Sequence, residues 1–162
     1  MPSLRHGLLL AIVLIPVTLS ANSERAVTHI LQQNEAPEGV VFEIVTADSG
    51  GLEWALPLTR SYIKRLHEQF PDLPVAVVTH GQEQFALQTR HNDSQETVHD
   101  QVQSLTGNKD IPVYVCGTYA GWRGLSDEDF PEYVNVAAAG PAQINDYIAL
   151  GYTRVLVRQR PD

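Results

Sequence analysis

The sequence predicts an α/β protein built on a parallel sheet. Three observations carry this. Several short runs are apolar throughout, as strands buried on both faces must be. Segments with helical periodicity alternate with those runs, the pattern of strand–helix–strand units. And 162 residues, 43% of them hydrophobic, make one domain's worth of chain with enough apolar surface for a real core. We find no internal repeat and no low-complexity segment.

The first element is an address. Arg5 and His6 precede an apolar stretch, 7–19, and a small-residue exit, Ser20-Ala21-Asn22-Ser23, follows. The stretch is about 13 residues, short of the roughly 20 that span a bilayer. Pro16 interrupts it. A basic start, a short apolar run and a small-residue exit describe a secretory signal peptide, 1–23, cut after Ala21 or Ser23. A lipoprotein leader needs a Cys at the cut, and the only Cys lies far downstream. The mature chain is therefore expected to be periplasmic or secreted, with no stable membrane anchor. Residues 24–38 form a polar lead-in, in which Val27, Ile30 and Leu31 share one short helical face.

Residues 39–160 form the single domain. The run 39–47 (GVVFEIVTA) is β-branched and apolar, a strand. Asp48-Ser49-Gly50-Gly51 turns the chain. Leu52, Leu56, Thr59, Ile63, Leu66 and Phe70 then recur at spacings of three and four, one face of a helix that Pro71-Asp72 ends. Pro57 must lie near the start of that helix or kink it. Residues 73–80 (LPVAVVTH) are the second strand, Gly81 turns, and 83–87 are a short helical piece. Asp93 followed by Glu96 has the spacing of a capping box, opening a helix whose buried side is Val98, Val102 and Leu105. Residues 111–116 (IPVYVC) are the third strand, and 117–124 a glycine- and aromatic-rich loop. The fourth strand is 134–138. Gly140-Pro141 opens a helix with proline near its first position, its face is Ile144, Tyr147 and Ile148, and Gly151 stops it. Residues 153–157 (TRVLV) are the last strand.

Composition excludes several functions. A formal net charge of −8 lacks the basic face that nucleic acid requires. A single cysteine forms no intrachain disulfide, no CxxC pair and no cysteine-rich zinc site. His67, His80, His91 and His99 have no metal-ligand spacing, so no metal is expected. No GxSxG elbow, P-loop or GxGxxG follows the strands, so neither a serine hydrolase nor a nucleotide cofactor is expected.

In open parallel sheets, ligands gather outside the carboxyl ends of the strands. Three turns reach that edge: 48–51, His80-Gly81 and 116–124. Cys116 is the sharpest candidate, the last residue of a buried strand, with Gly117 allowing a tight turn. A thiolate there is a nucleophile, which Arg123 or His80 would favour by charge; the other reading is an inert core cysteine. His80 is an acid/base or charge partner for Cys116, or a structural histidine. Asp48, Ser49 and Gly50 resemble an anion cradle or are simply a turn. Tyr119 and Trp122 wall a pocket or cover the sheet edge.

Three segments together resemble the DsrE/DsrF-like family of sulfur-relay proteins: VVTHG (77–81), IPVYVCGTYAGWRGL (111–125) and AAAGPAQINDYIALGYTRVLV (137–157). The resemblance runs from Val40 to Val157. It implies a three-layer α/β/α sandwich with a five-stranded parallel sheet in the order 4-3-2-1-5. It implies a homo-oligomer, a trimer or hexamer, with sites near subunit contacts. It also implies that Cys116 carries sulfane sulfur as a persulfide, passed between a donor and an acceptor protein or small thiol without metal or organic cofactor. The alternative is a non-catalytic oligomeric module of the same fold, with a structural cysteine. The chain departs from the sulfur-transferring members in its export-type N-terminus, since those members are cytoplasmic.

Overall fold

The strands β1 (Val40–Ile44), β2 (Val75–Thr79), β3 (Val113–Cys116), β4 (Asn135–Ala137) and β5 (Thr153–Val157) form one sheet. Its order is β4-β3-β2-β1-β5, and every neighbouring pair is parallel. The computed structural model describes residues 22–107 and 110–159; the expected signal peptide lies almost wholly outside them. Among the described residues the α-helices are α1 (Asn22–Leu31), α2 (Gly51–Gln69), α3 (Glu96–Thr106), α4 (Gly117–Trp122) and α5 (Gly140–Ala149).

Alternation along the strands assigns the two faces. Val40, Phe42 and Ile44 of β1, with Val75, Val77, Val113, Val115, Val155 and Val157, pack against α1, α2 and α3 in one large core. Val41, Ala76 and Val78 point the other way, onto Ile144 of α5. The result is the α/β/α sandwich, in the strand order that the resemblance implied. The second face also receives Glu43, His80, Cys116 and Arg154, which occupy the alternate positions.

Helix α2 buries Leu52, Ala55, Leu56, Thr59, Tyr62, Ile63 and Leu66, the predicted stripe, and Pro57 lies inside it. The helix stops one residue short of Phe70, which is its C-cap rather than part of the face. In the lead-in, Val27 and Ile30 of α1 are fully buried, and Ser23 is buried beside the Tyr62 hydroxyl at 3.3 Å.

Some local expectations fail for identifiable reasons. β1 ends at Ile44, because Thr46 turns away to donate its backbone N–H to Glu83. The piece after Gly81 is a 3-10 turn, Gln82–Leu87. The Asp93–Glu96 capping box does not form: Gln95 is the N-cap of α3 and no side chain caps it. Residues 117–122 are helix α4, not loop. On α5, Ile148 is 43% exposed rather than part of the buried face. Gly151 does end the chain's run there, with a φ of 90° that glycine adopts without strain.

His99 on α3 is fully buried, and its partners fix its tautomer. Nε2 faces the Ala86 carbonyl at 3.1 Å and must donate, so in the neutral ring Nδ1 accepts from the Tyr133 hydroxyl at 2.5 Å. Burial holds the ring's pKa below 6.5; the Ala86 carbonyl and Asp100 pull it partly back, and His91 pushes it down. A histidine that folds neutral contributes stability that is complete above pH 6.5 and is lost as the pH falls below that value. His99→Gln is expected to flatten the fall in urea midpoint between neutral and mildly acidic pH. An unchanged pH profile would mean that His99 carries none of it.

Candidate functional site

Cys116 ends β3 and is the N-cap of α4. Its backbone is clamped by the buried Gln84, whose Oε1 accepts the Cys116 N–H at 2.7 Å while Nε2 reaches the Cys116 carbonyl at 3.5 Å. The residue is free and 5% exposed. It opens onto a pocket of about 380 Å³ that His80 also lines. Tyr119 and Trp122 of α4 form one wall, with Ala139 and Pro141 at the start of α5 opposite. Thr118 lines it too, but its hydroxyl is engaged, donating to the Ala138 carbonyl at 2.7 Å. The Tyr119 hydroxyl is likewise engaged, donating to Gln82 Oε1 at 3.0 Å, so the thiol, the imidazole and the exposed Trp122 indole are the polar groups this largely apolar lining brings together.

Cys116 and His80 both pack against the start of α5 at Gly140. A Cβ at that position would lie 2.5 Å from the His80 Cβ and 3.4 Å from the Cys116 Cβ. Only glycine lets the helix start so close to both.

His80 is held from behind. Its Nε2 lies 2.8 Å from Oε1 of Glu43, a carboxylate 6% exposed whose other oxygen is bonded by the Arg154 guanidinium. Burial raises the Glu43 pKa, but the hydrogen bonds from His80 and Arg154, with the Arg154 charge, outweigh it and keep the carboxyl below 4.5. Glu43 is thus ionised at neutral pH and can only accept, so Nε2 of His80 carries a proton. In neutral His80 the lone pair is then on Nδ1, which has no hydrogen-bond partner among the described residues. A histidine oriented by a carboxylate, with its other nitrogen unengaged and sharing a pocket with a thiol, has the parts from which activated cysteine nucleophiles are built.

The structure divides the predicted site residues into two groups. Cys116, His80, Tyr119 and Trp122 share the pocket, and Gly117 opens the helix that forms its wall. Arg123 does not line that pocket. It lies on the ring of Phe85 at 4.6 Å and donates to Gln82 Oε1 at 2.6 Å. Ser49 and Gly50 line a second groove with Arg123. Asp48 Oδ1 accepts the Gly50 N–H at 2.9 Å, closing a turn. Gly81 donates its N–H to Glu83.

Sequence reasoning missed Glu43, Arg154, Gln84 and Gly140. Two of them left a signal. Glu43 and Arg154 are charged residues within otherwise apolar strands, and a buried charge requires a partner. Gln84 left none, since nothing local distinguishes it from a solvated glutamine. Among the described residues no helix is long and apolar enough to cross a membrane, and no group of three His, Cys, Asp or Glu side chains converges to hold a metal.

The fold is similar to that of MTH1491 from Methanobacterium thermoautotrophicum, a protein of unknown function. The two are 22% identical, with a TM-score of 0.59, over 72% of this chain and 96% of that one. It is also similar to the ychN protein from E. coli, at 16% identity and a TM-score of 0.51, over 73% of this chain and 97% of that one. Both are DsrE-like fold proteins, and the fold of this chain is DsrE-like. No family model matches the sequence, and no curated protein matches it.

Proposed function

We propose that the protein is an exported sulfur carrier that holds sulfane sulfur as a persulfide on Cys116. The observation that carries this reading is that one thiol and one carboxylate-oriented imidazole line the same largely apolar pocket. His80 takes the thiol proton on Nδ1. The thiolate attacks the outer sulfur of a thiosulfate- or polysulfide-class donor. A Cys116–sulfur bond forms, the donor's sulfur–sulfur bond breaks, and sulfite or the shortened polysulfide leaves with the electron pair. An acceptor thiolate then attacks the outer persulfide sulfur and releases the Cys116 thiolate. No electrons are gained or lost overall, so no redox cofactor is required. The apolar walls shield the persulfide, which matters in an oxidising compartment where lone thiols are captured or over-oxidised.

The burial of Cys116 favours a second reading, a binding module in which the cysteine is packing. One measurement separates the two. Protein recovered from the periplasm is treated with polysulfide and weighed intact beside Cys116→Ser. The wild type is expected to gain multiples of one sulfur mass and the variant none. The same spectrum reports whether the leader has been removed. A folded wild type that gains no sulfur, or a variant that gains as much, would sink the carrier reading.

A further inference from the structure

The make-up of the Cys116 pocket decides what it can admit. Its lining is largely apolar, and no lysine, arginine or carboxylate belongs to it. Arg123, next to Trp122 in sequence, lies on Phe85 at 4.6 Å and gives its Nη2 to Gln82. The hydrogen-bond donors around the pocket are engaged as well. The Thr118 N–H and hydroxyl both reach the Ala138 carbonyl, at 3.0 and 2.7 Å. The Tyr119 hydroxyl is given to Gln82, and Pro141 has no N–H to offer. Behind His80, Glu43 and Arg154 form an ion pair that cancels its own charge. The start of α5 does bring the positive end of a helix dipole. Cys116 packs against that end, so the anion it favours is the thiolate that the site itself makes.

A dianion such as thiosulfate would leave water for this pocket without a counter-charge, in a chain whose formal net charge is already −8. Burying an unpaired charge is costly, so such a donor is disfavoured there. An apolar group meets the opposite terms. Tyr119 is a fixed wall, edge-on to Phe85 at 5.0 Å, and the Trp122 ring stands beside it at 6.0 Å. Trp122 lines the pocket and is nonetheless 79% exposed. A ligand that covers its ring removes apolar surface from water. The pocket's volume, about 380 Å³, falls in the range of roughly 300–1,000 Å³ that small-molecule sites occupy.

We propose that the donor this pocket selects is an uncharged organic hydropersulfide, R–S–SH, whose R group is apolar and packs on Trp122. The inference rests on the carrier reading of Cys116 and narrows its donor. The Cys116 thiolate attacks the outer sulfur of R–S–SH. The Cys116–sulfur bond forms, the donor's sulfur–sulfur bond breaks, and R–S⁻ leaves with the electron pair. The proton that His80 took from the thiol goes to that leaving group. The products are the Cys116 persulfide and R–SH, and no electron is gained or lost overall. The outer sulfur is electrophilic in the protonated donor, and an apolar pocket favours that form over R–S–S⁻.

The test loads the full mature chain with two donors of one chemistry and different charge, benzyl hydropersulfide and its para-carboxylate, each generated in the assay. Intact mass follows the gain of one sulfur, with Cys116→Ser as the blank. Each rate is divided by that of the same donor with a small free thiol. The neutral donor is expected to load the wild type at least about tenfold faster, the scale of one carboxylate left without a partner. Trp122→Arg, at a largely exposed position, takes away an apolar wall and supplies a cation, so the ratio is expected to fall toward one. Equal normalised rates in the wild type, or a wild-type ratio in Trp122→Arg, would overturn the proposal. Loading with inorganic polysulfide separates the two kinds of failure. A wild type that takes sulfur from polysulfide but does not discriminate loses this inference alone; one that takes sulfur from no donor loses the carrier reading with it.

Discussion

Glu83→Ala is expected to lower the unfolding free energy by about 3–5 kcal/mol, as a variant that leaves several buried donors unsatisfied should. Glu83 is fully buried in the 3-10 turn after β2. Its Oε1 accepts from the Thr79 hydroxyl at 2.5 Å and the Gly81 N–H at 2.9 Å, and its Oε2 accepts the Thr46 N–H at 2.9 Å. One carboxylate therefore ties the carboxyl ends of β1 and β2 together. Alanine leaves two backbone N–H groups and a hydroxyl without their protein acceptors. Glu83→Gln keeps one good acceptor and turns an NH₂ group toward a donor, so it should fall between. Urea unfolding of the three proteins measures this. A loss under about 1 kcal/mol for Glu83→Ala would show that the turn relaxes to satisfy itself.

The same residue shows what the sequence can and cannot say. The strands were legible because burial on both faces writes itself as continuous apolar runs; β5 is Thr153–Val157, as predicted. The stripe of α2 was legible for the same reason at a different period. Glu83 read as an ordinary polar residue of a short helical piece, because its partners, Thr46 and Thr79, come from two different strands. The loop expected at 117–124 is a helix because tertiary contacts override weak propensity there: Ala120 is buried in the core and Tyr119 stacks edge-on against Phe85 at 5.0 Å. The Asp93 capping box had the right spacing, but the chain begins α3 at Gln95 instead.

The site divides along the same line. Cys116 ends β3 and His80 directly follows the adjacent β2, so strand order along the chain was enough to put them on one edge. Glu43 comes to His80 because β1 lies beside β2, and Arg154 comes to Glu43 because β5 lies on the other side of β1. That placement requires the crossover of the last strand to the far edge of β1, which no local pattern encodes. Arg123 was expected beside the thiol because it is close in sequence. Six residues of α4 and a stack on Phe85 carry it to the neighbouring groove instead.

Glu43→Gln is expected to slow the native labelling of Cys116 by a small thiol reagent at least roughly tenfold at neutral pH, the scale of a general base losing its orientation. Glutamine has nearly the same shape, but its amide accepts weakly and carries no charge. The preference for a proton on Nε2 of His80 weakens, and with it the lone pair on Nδ1. Stability supplies an independent check with a definite sign. The folded Glu43 carboxyl is held below 4.5, so its contribution is complete above that pH and is lost as the pH falls through the lower folded value. The gap in urea midpoint between wild type and Glu43→Gln should therefore be widest at neutral pH and close in acid. Arg154, 47% exposed, is screened by solvent, so Arg154→Gln should change both readouts less. The pH profile of labelling distinguishes positioning from mere packing. If Glu43 orients His80, Glu43→Gln moves the profile as well as lowering it, and Glu43→Asp restores part of both. If Glu43→Gln labels at the wild-type rate with the wild-type profile, the carboxylate is a structural tie between β1 and β5 and His80 does not act as the base.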